Sequence, residues 1–170
     1  LRNQDQVVFV NRDVGLMENL TLGAEDERRT LYEQHNPDYI PSSEGGPALL
    51  VADSENGRII EYQRTNETWE QSWIWRDAKM QWPRDADRLP NGNTLIADTN
   101  SDRVVEVNEQ GEIIWQINYP GPYEVERLGT GDESTGGSSA TRLSLESRGV
   151  SLFGVGKTAQ NRDRGGVAAT

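Results

Sequence analysis

The chain is predicted to be all-β, a β-propeller of four-stranded antiparallel blades. Three observations carry that prediction. The sequence repeats itself, its apolar residues alternate over short runs between turn signals, and no stretch keeps helical spacing without a Gly, Pro or Asn-Gly break. The clearest repeat sets Leu50 to Tyr62 over Leu95 to Val107 at an ungapped offset of 45 residues, with five of thirteen positions identical. A partial third copy sets Asp5 to Asn11 over Asp102 to Asn108. A recurrent opening sets Pro83-Arg84-Asp85-Ala86-Asp87-Arg88-Leu89 against Pro122-Tyr123-Glu124-Val125-Glu126-Arg127-Leu128.

Each element of one unit follows from local chemistry. Asp85 to Leu89 is a short strand, closed by the turn residues Pro90-Asn91-Gly92-Asn93. Thr94 to Asp98 is a second apolar strand, and Asn100-Ser101-Asp102 turns the chain again. Arg103 to Val107 is β-branched and alternating, Glu109-Gln110-Gly111 turns, and Glu112 to Ile117 completes the set. Four such strands in roughly 40–50 residues match a propeller blade.

Counted this way, residues 1–130 hold a partial propeller: a blade remnant over about 1–33, blades over about 34–79 and 80–119, and the start of another over about 120–130. In the remnant, Gln6 to Val10 and Gly15 to Thr21 read as last strands; Tyr123 to Leu128 reads as a first strand. Two and a half to three blades fall short of the roughly four to eight of a closed ring, so open strand edges require missing blades or self-association to cover them. A piece of a larger propeller is the expectation. Residues 131–170 are Gly- and Ser-rich, hold eight of the 17 Gly and lose the alternation, which predicts a disordered tail.

Composition narrows the function. With 28 Asp plus Glu against 17 Lys plus Arg, the formal net charge is −11, and nucleic-acid phosphates would find no basic face. No Cys is present, which removes disulfide scaffolds and thiol chemistry. No run of 18 apolar residues occurs, so no helix is predicted to cross a membrane. Only Lys79 and Lys157 are lysines; an acidic, Lys-poor chain suits a high-salt setting. Asn19-Leu20-Thr21 and Asn66-Glu67-Thr68 are glycosylation acceptor patterns that would accompany export.

Candidate site residues lie where the first strands begin. His35, the one histidine, sits in Gln34-His35-Asn36-Pro37-Asp38, which aligns with Gln81-Trp82-Pro83-Arg84-Asp85 one unit later. First strands line the axial channel of a propeller, so His35 is the candidate catalytic residue, a nucleophile or base beside the cation of Arg84. Arg84 suits an oxyanion, and Trp82 beside it offers an aromatic wall. Trp69, Trp73, Trp75 and Trp115 fall on outer strands and are expected to pack between blades. Asp98, Asn100 and Asp102, with Glu109, space oxygens like the start of a calcium loop. Arg103 occupies the place of that loop's Gly, however, and an ordinary hairpin with Asx hydrogen bonds explains the same residues. No metal is assigned.

Gln34-His35-Asn36-Pro37, Val51 to Arg58 and the run Trp82 to Leu95 resemble the arylsulfotransferase family, and its haloarchaeal members in particular. The resemblance covers about residues 1–135. It implies a six-bladed propeller, exported or held at the cell surface, that moves a sulfuryl group from a small-molecule aryl sulfate to a phenol through a sulfurylated His35, with no cofactor. Arg84 and Trp82 would bind the donor. Without that family, the chain would be a non-catalytic extracellular propeller of the NHL-like kind that binds a ligand.

Overall fold

A computed structural model describes residues 1–129 and 134–149. It is built from two four-stranded antiparallel sheets, a small N-terminal hairpin and a short C-terminal helix. The hairpin pairs β1 (Val10–Asn11) with β2 (Gly15–Leu16), and a Val7 to Leu22 bridge extends it. The first sheet has the order β3-β4-β5-β6: His35–Ile40, Ala48–Asp53, Arg58–Thr65 and Thr68–Trp75. In the second, β7 (Pro83–Arg88), β8 (Thr94–Asp98), β9 (Arg103–Val107) and β10 (Ile113–Asn118) follow each other in the same way. The α1 helix covers Ala140–Leu143. All-β architecture and propeller-like blades are thus present, and the described residues form no closed ring.

The identical residues of the repeat do the same work in both sheets. Asp53 ends β4 and accepts from Arg58 Nε (2.6 Å) across the hairpin and from Tyr32 N (2.7 Å) ahead of the first strand. Asp98 does so with Arg103 Nε (2.9 Å) and Gln81 N (2.9 Å). A carboxylate thus pins each first strand to the hairpin of its own sheet, and the calcium-like spacing of Asp98, Asn100 and Asp102 is that of a hairpin. Asp102, in the left-handed region, takes Gly121 N instead.

The sheets stack through one apolar layer. Leu50, Ala52, Ile59, Trp73 and Trp75 of the first meet Ala86, Ile96, Val105 and Val107 of the second, all fully or almost fully buried. At about 25 cal/mol per Å² of apolar surface this layer is the main stabilising contact. The opposite face of the first sheet, Leu49, Val51, Ile60 and Tyr62, is covered by Val7, Leu22 and Leu31 of the N-terminal segment.

Tyr123 to Leu128, expected as the first strand of a further blade, lies outside both sheets. The segment that holds it is tied to the second sheet by Val125 N to Asp85 (2.8 Å), Thr99 Oγ1 to Pro122 O (2.6 Å) and an Arg127–Glu106 ion pair.

The Gly/Ser-rich tail is ordered over 134–149. Ser134 donates from N and Oγ to Asp38, Ala140 N donates to Glu61 (2.8 Å), and Arg148 N reaches Ile74 O (2.9 Å) on the β6 edge. Gly and Ser serve close approach here: a Cβ on Gly137 would lie 1.9 Å from Arg88 O. Low hydropathy therefore marked a packed strap rather than a free segment. The rest of the expected disordered tail lies outside the described residues.

Candidate functional site

The start of β3 places His35 beside the Ser54 turn, and the start of β7 brings Trp82 and Arg84 against it. His35 Nδ1 lies 2.7 Å from Ser54 Oγ. Its ring meets Trp82 edge-on at 5.4 Å and Tyr123 at 6.3 Å. Arg84 Cζ sits 4.0 Å from the Trp82 centroid and 4.5 Å from that of Tyr123, the geometry of cation–π contact. Trp82 adopts a left-handed φ of 62° and donates from Nε1 to Glu55 (2.8 Å). That turn presents its ring to both His35 and Arg84.

Strand register explains why these residues meet. Asp38 faces Leu50 as Asp87 faces Leu95, and Tyr32 N caps Asp53 as Gln81 N caps Asp98. The later parts of the first strands are therefore offset by 49 residues, but their bulges fall at different places: His35 faces Ala52 as Asp85 faces Ala97, and Arg84 is the bulge residue just before that position. The connection after the first strand spans 41–47 in one sheet and 89–93 in the other, so no single offset runs through a unit. In the third unit Arg127 meets Glu106 as Arg88 meets Glu61, which puts Tyr123 at the place of Arg84. Arg84 and Tyr123 thus occupy one position in two successive units, next to the place that His35 holds in its own. Tyr123 and Ser54 were not singled out in the sequence, although the recurrent opening and the Ser54–Thr99 alignment held the signal.

The electrostatics favour a neutral imidazole beside a free cation. Burial lowers the affinity of His35 for a proton, and the charges of Arg2 and Arg84 lower it further, against the smaller opposing effect of Glu33. Arg58, Arg88 and Arg103 are all paired with carboxylates. Arg84 has no carboxylate partner among the described residues, and its Nε is buried without a hydrogen bond. Asp85, next in sequence, is held by Asn36 and Val125, and burial raises its carboxyl. His35, Arg2, Gln34, Asn36 and Tyr123 line an open cavity of about 500 Å³. Such a place can hold an anionic small molecule with an imidazole at hand to move a proton. Among the described residues no three His, Asp or Glu side chains converge in a metal-ligating cluster.

The other aromatic residues divide as their positions demand. Trp73 and Trp75 are buried in the layer between the sheets, while Trp115 is 48 % exposed.

No protein-family model matches the sequence, and no curated protein matches it. Among solved structures the chain is similar to two provisionally assigned 6-phosphogluconolactonases. For the one from Bacteroides uniformis the TM-score is 0.53 at 16% identity, over 74% of this chain and 38% of that one. For the one from Bacteroides fragilis it is 0.52 at 13% identity, over 72% and 35%. The chain spans little more than a third of the length of either. At this identity the likeness is one of fold.

These findings overturn the arylsulfotransferase resemblance, and with it the transferase activity on aryl sulfates and phenols. The physical reason is visible in the residues that carried it. Asp53, Arg58, Asp85, Arg88, Asp98 and Arg103 hold hairpins and neighbouring units together, so they mark an architecture and not a chemistry. The haloarchaeal source and surface location lose the support the resemblance lent them, and the non-catalytic NHL-like reading gains none. The family likeness the structure does carry is one of fold, to proteins assigned as lactonases.

Proposed function

We propose that this chain is the His35-bearing sector of a propeller hydrolase that opens a lactone or ester of an anionic sugar. The observation that carries the reading is a neutral His35 on a cavity edge, within electrostatic reach of a carboxylate-free Arg84 that lies over the rings of Trp82 and of the cavity-lining Tyr123. Fold likeness to proteins named as 6-phosphogluconolactonases supplies the substrate class by analogy. In the reaction, His35 removes a proton from water as the oxygen attacks the lactone carbonyl carbon. The ring C–O bond then breaks, and the leaving alkoxide takes the proton from His35, giving a hydroxy acid. Arg84 holds the substrate's anionic group, and Trp82 and Tyr123 wall it in.

The ring that would enclose this site needs further blades, from more polypeptide or from a second copy. Support for that comes from the outer face of the second sheet. Trp115 and Ile117 face Glu106 and Val104 just as Trp73 and Trp75 face Glu61 and Ile59, yet each is 48 % exposed where its counterpart is buried.

The test is acid release from 6-phosphogluconolactone, followed by pH-stat with the 170-residue chain. Catalysed opening above the spontaneous rate, lost in a folded His35→Ala variant, is expected. Acceleration that is equal in His35→Ala, or none from a protein in which the ring is complete, refutes the reading.

A further inference from the structure

His35 Nδ1 and Ser54 Oγ are 2.7 Å apart, and Ser54 Oγ is also 2.6 Å from Pro83 O. A serine hydroxyl has one proton and can donate only once. Pro83 O is a carbonyl and can only accept, so a contact of that length needs the Ser54 proton. Ser54 must then accept from His35, and Nδ1 must carry a hydrogen.

A second, independent observation fixes the direction of the Ser54 proton. Thr99 is the counterpart of Ser54 in the next unit, and its Oγ1 lies 2.6 Å from Pro122 O, the counterpart of Pro83 O. No histidine shares that bond, since His35 is the single histidine of the sequence. The hydroxyl-to-proline contact is therefore a latch between successive units, made whether or not an imidazole is present. Ser54 is 2 % exposed, so no water competes for its proton.

We infer that Ser54 is a positioning residue: its latch to Pro83 holds neutral His35 as the Nδ1–H tautomer and leaves the lone pair on Nε2 as the reacting atom. The role of Nε2 in turnover rests on the hydrolase reading above; the tautomer itself does not. A free imidazole favours the opposite tautomer, so the latch sets a form that His35 would not choose alone.

The experiment is long-range ¹H–¹⁵N correlation on the uniformly labelled 170-residue chain, above the titration of its single histidine. Wild type should show a protonated-type Nδ1 and an unprotonated-type Nε2. Ser54→Thr, which copies Thr99, should keep that pattern, and Ser54→Ala should shift His35 toward the Nε2–H form. An Nε2–H signal in wild type, or an unchanged pattern in Ser54→Ala, overturns the inference without any assay. Where lactone opening is measured, Ser54→Ala should lower kcat by about tenfold with KM little changed, and Ser54→Thr should restore it. A correct tautomer in a protein with a complete ring but without lactone opening would refute the hydrolase reading alone.

Discussion

Glu61 and Arg88 form an ion pair of 3.0 Å between the two sheets, with both side chains fully buried. Glu61 also accepts from Ala140 N and Ser72 Oγ, and the Arg88 guanidinium lies 4.8 Å from the Trp73 ring centroid. The same pair recurs one unit later as Glu106 and Arg127, where Glu106 is buried and Arg127 is 41 % exposed. Sequence position is shared; burial of the arginine is not.

That difference sets the first prediction. Removing one partner of a fully buried pair strands the other charge and costs about 3–5 kcal/mol, and a pair with one end in solvent costs less. Arg88→Ala should lose several kcal/mol in urea unfolding, and Arg127→Ala, which leaves Glu106 its bond from Asn93, should lose less. Equal losses would mean that the Glu106–Arg127 pair is buried by something in solution that covers the outer face of the second sheet.

The strap over 134–149 supplies the second. Gly137 approaches Arg88 O so closely that a Cβ would overlap it, at 1.9 Å, and backbone cannot give way there. Gly137→Ala should release the strap and raise the rate of limited proteolysis at Arg142 and Arg148 by about tenfold, since local opening governs cleavage. Trp73 fluorescence should change as well, because its Nε1 donates to Glu146 O at 3.1 Å. Unchanged cleavage would show that the strap does not depend on that contact.

The titration of His35 gives the third. Burial comes first among the causes that hold its folded pKa below the ordinary value of 6.5, followed by Arg2 and Arg84. Between the folded pKa and 6.5 the unfolded chain therefore binds more protons. The stabilising effect is complete above pH 6.5 and is lost as pH falls through the folded value. The single imidazole can be followed by NMR, with a midpoint below 6.5 in the folded chain and a higher one in Arg84→Gln. His35→Gln should flatten the fall in stability over that window. A midpoint at or above 6.5 would refute the account.

The β5–β6 hairpin gives the fourth. Asn66 and Glu67 have φ values of 49° and 66°, the two-residue turn that favours Asn-Gly. Glu67→Gly should stabilise the chain by about 0.5–1 kcal/mol in urea unfolding. A loss of stability would mean that the Glu67 side chain contributes more than its backbone costs.

Much of this protein was written locally in its sequence. The strands Thr94–Asp98 and Arg103–Val107 follow from alternation and the turn residues around them, because a strand's face and a hairpin's turn are set by neighbours a few residues away. The Asp53–Arg58 and Asp98–Arg103 pairs were legible as repeat identities, and the place of His35 at the start of a first strand was legible from the unit boundary. Tertiary structure alone decided the rest. The inter-unit offset depends on loop lengths and bulges that no local pattern fixes, and packing of the units is what brings Trp82 and Tyr123 beside His35 and Arg84. The strap was invisible because its Gly and Ser residues gain their contacts from the surface of another unit, Arg88 above all, and burial of that kind is a property of packing and not of composition. Chemistry followed the same division: the imidazole could be read from the chain, but the proton on it is directed by a serine latched to the carbonyl of Pro83, 29 residues away.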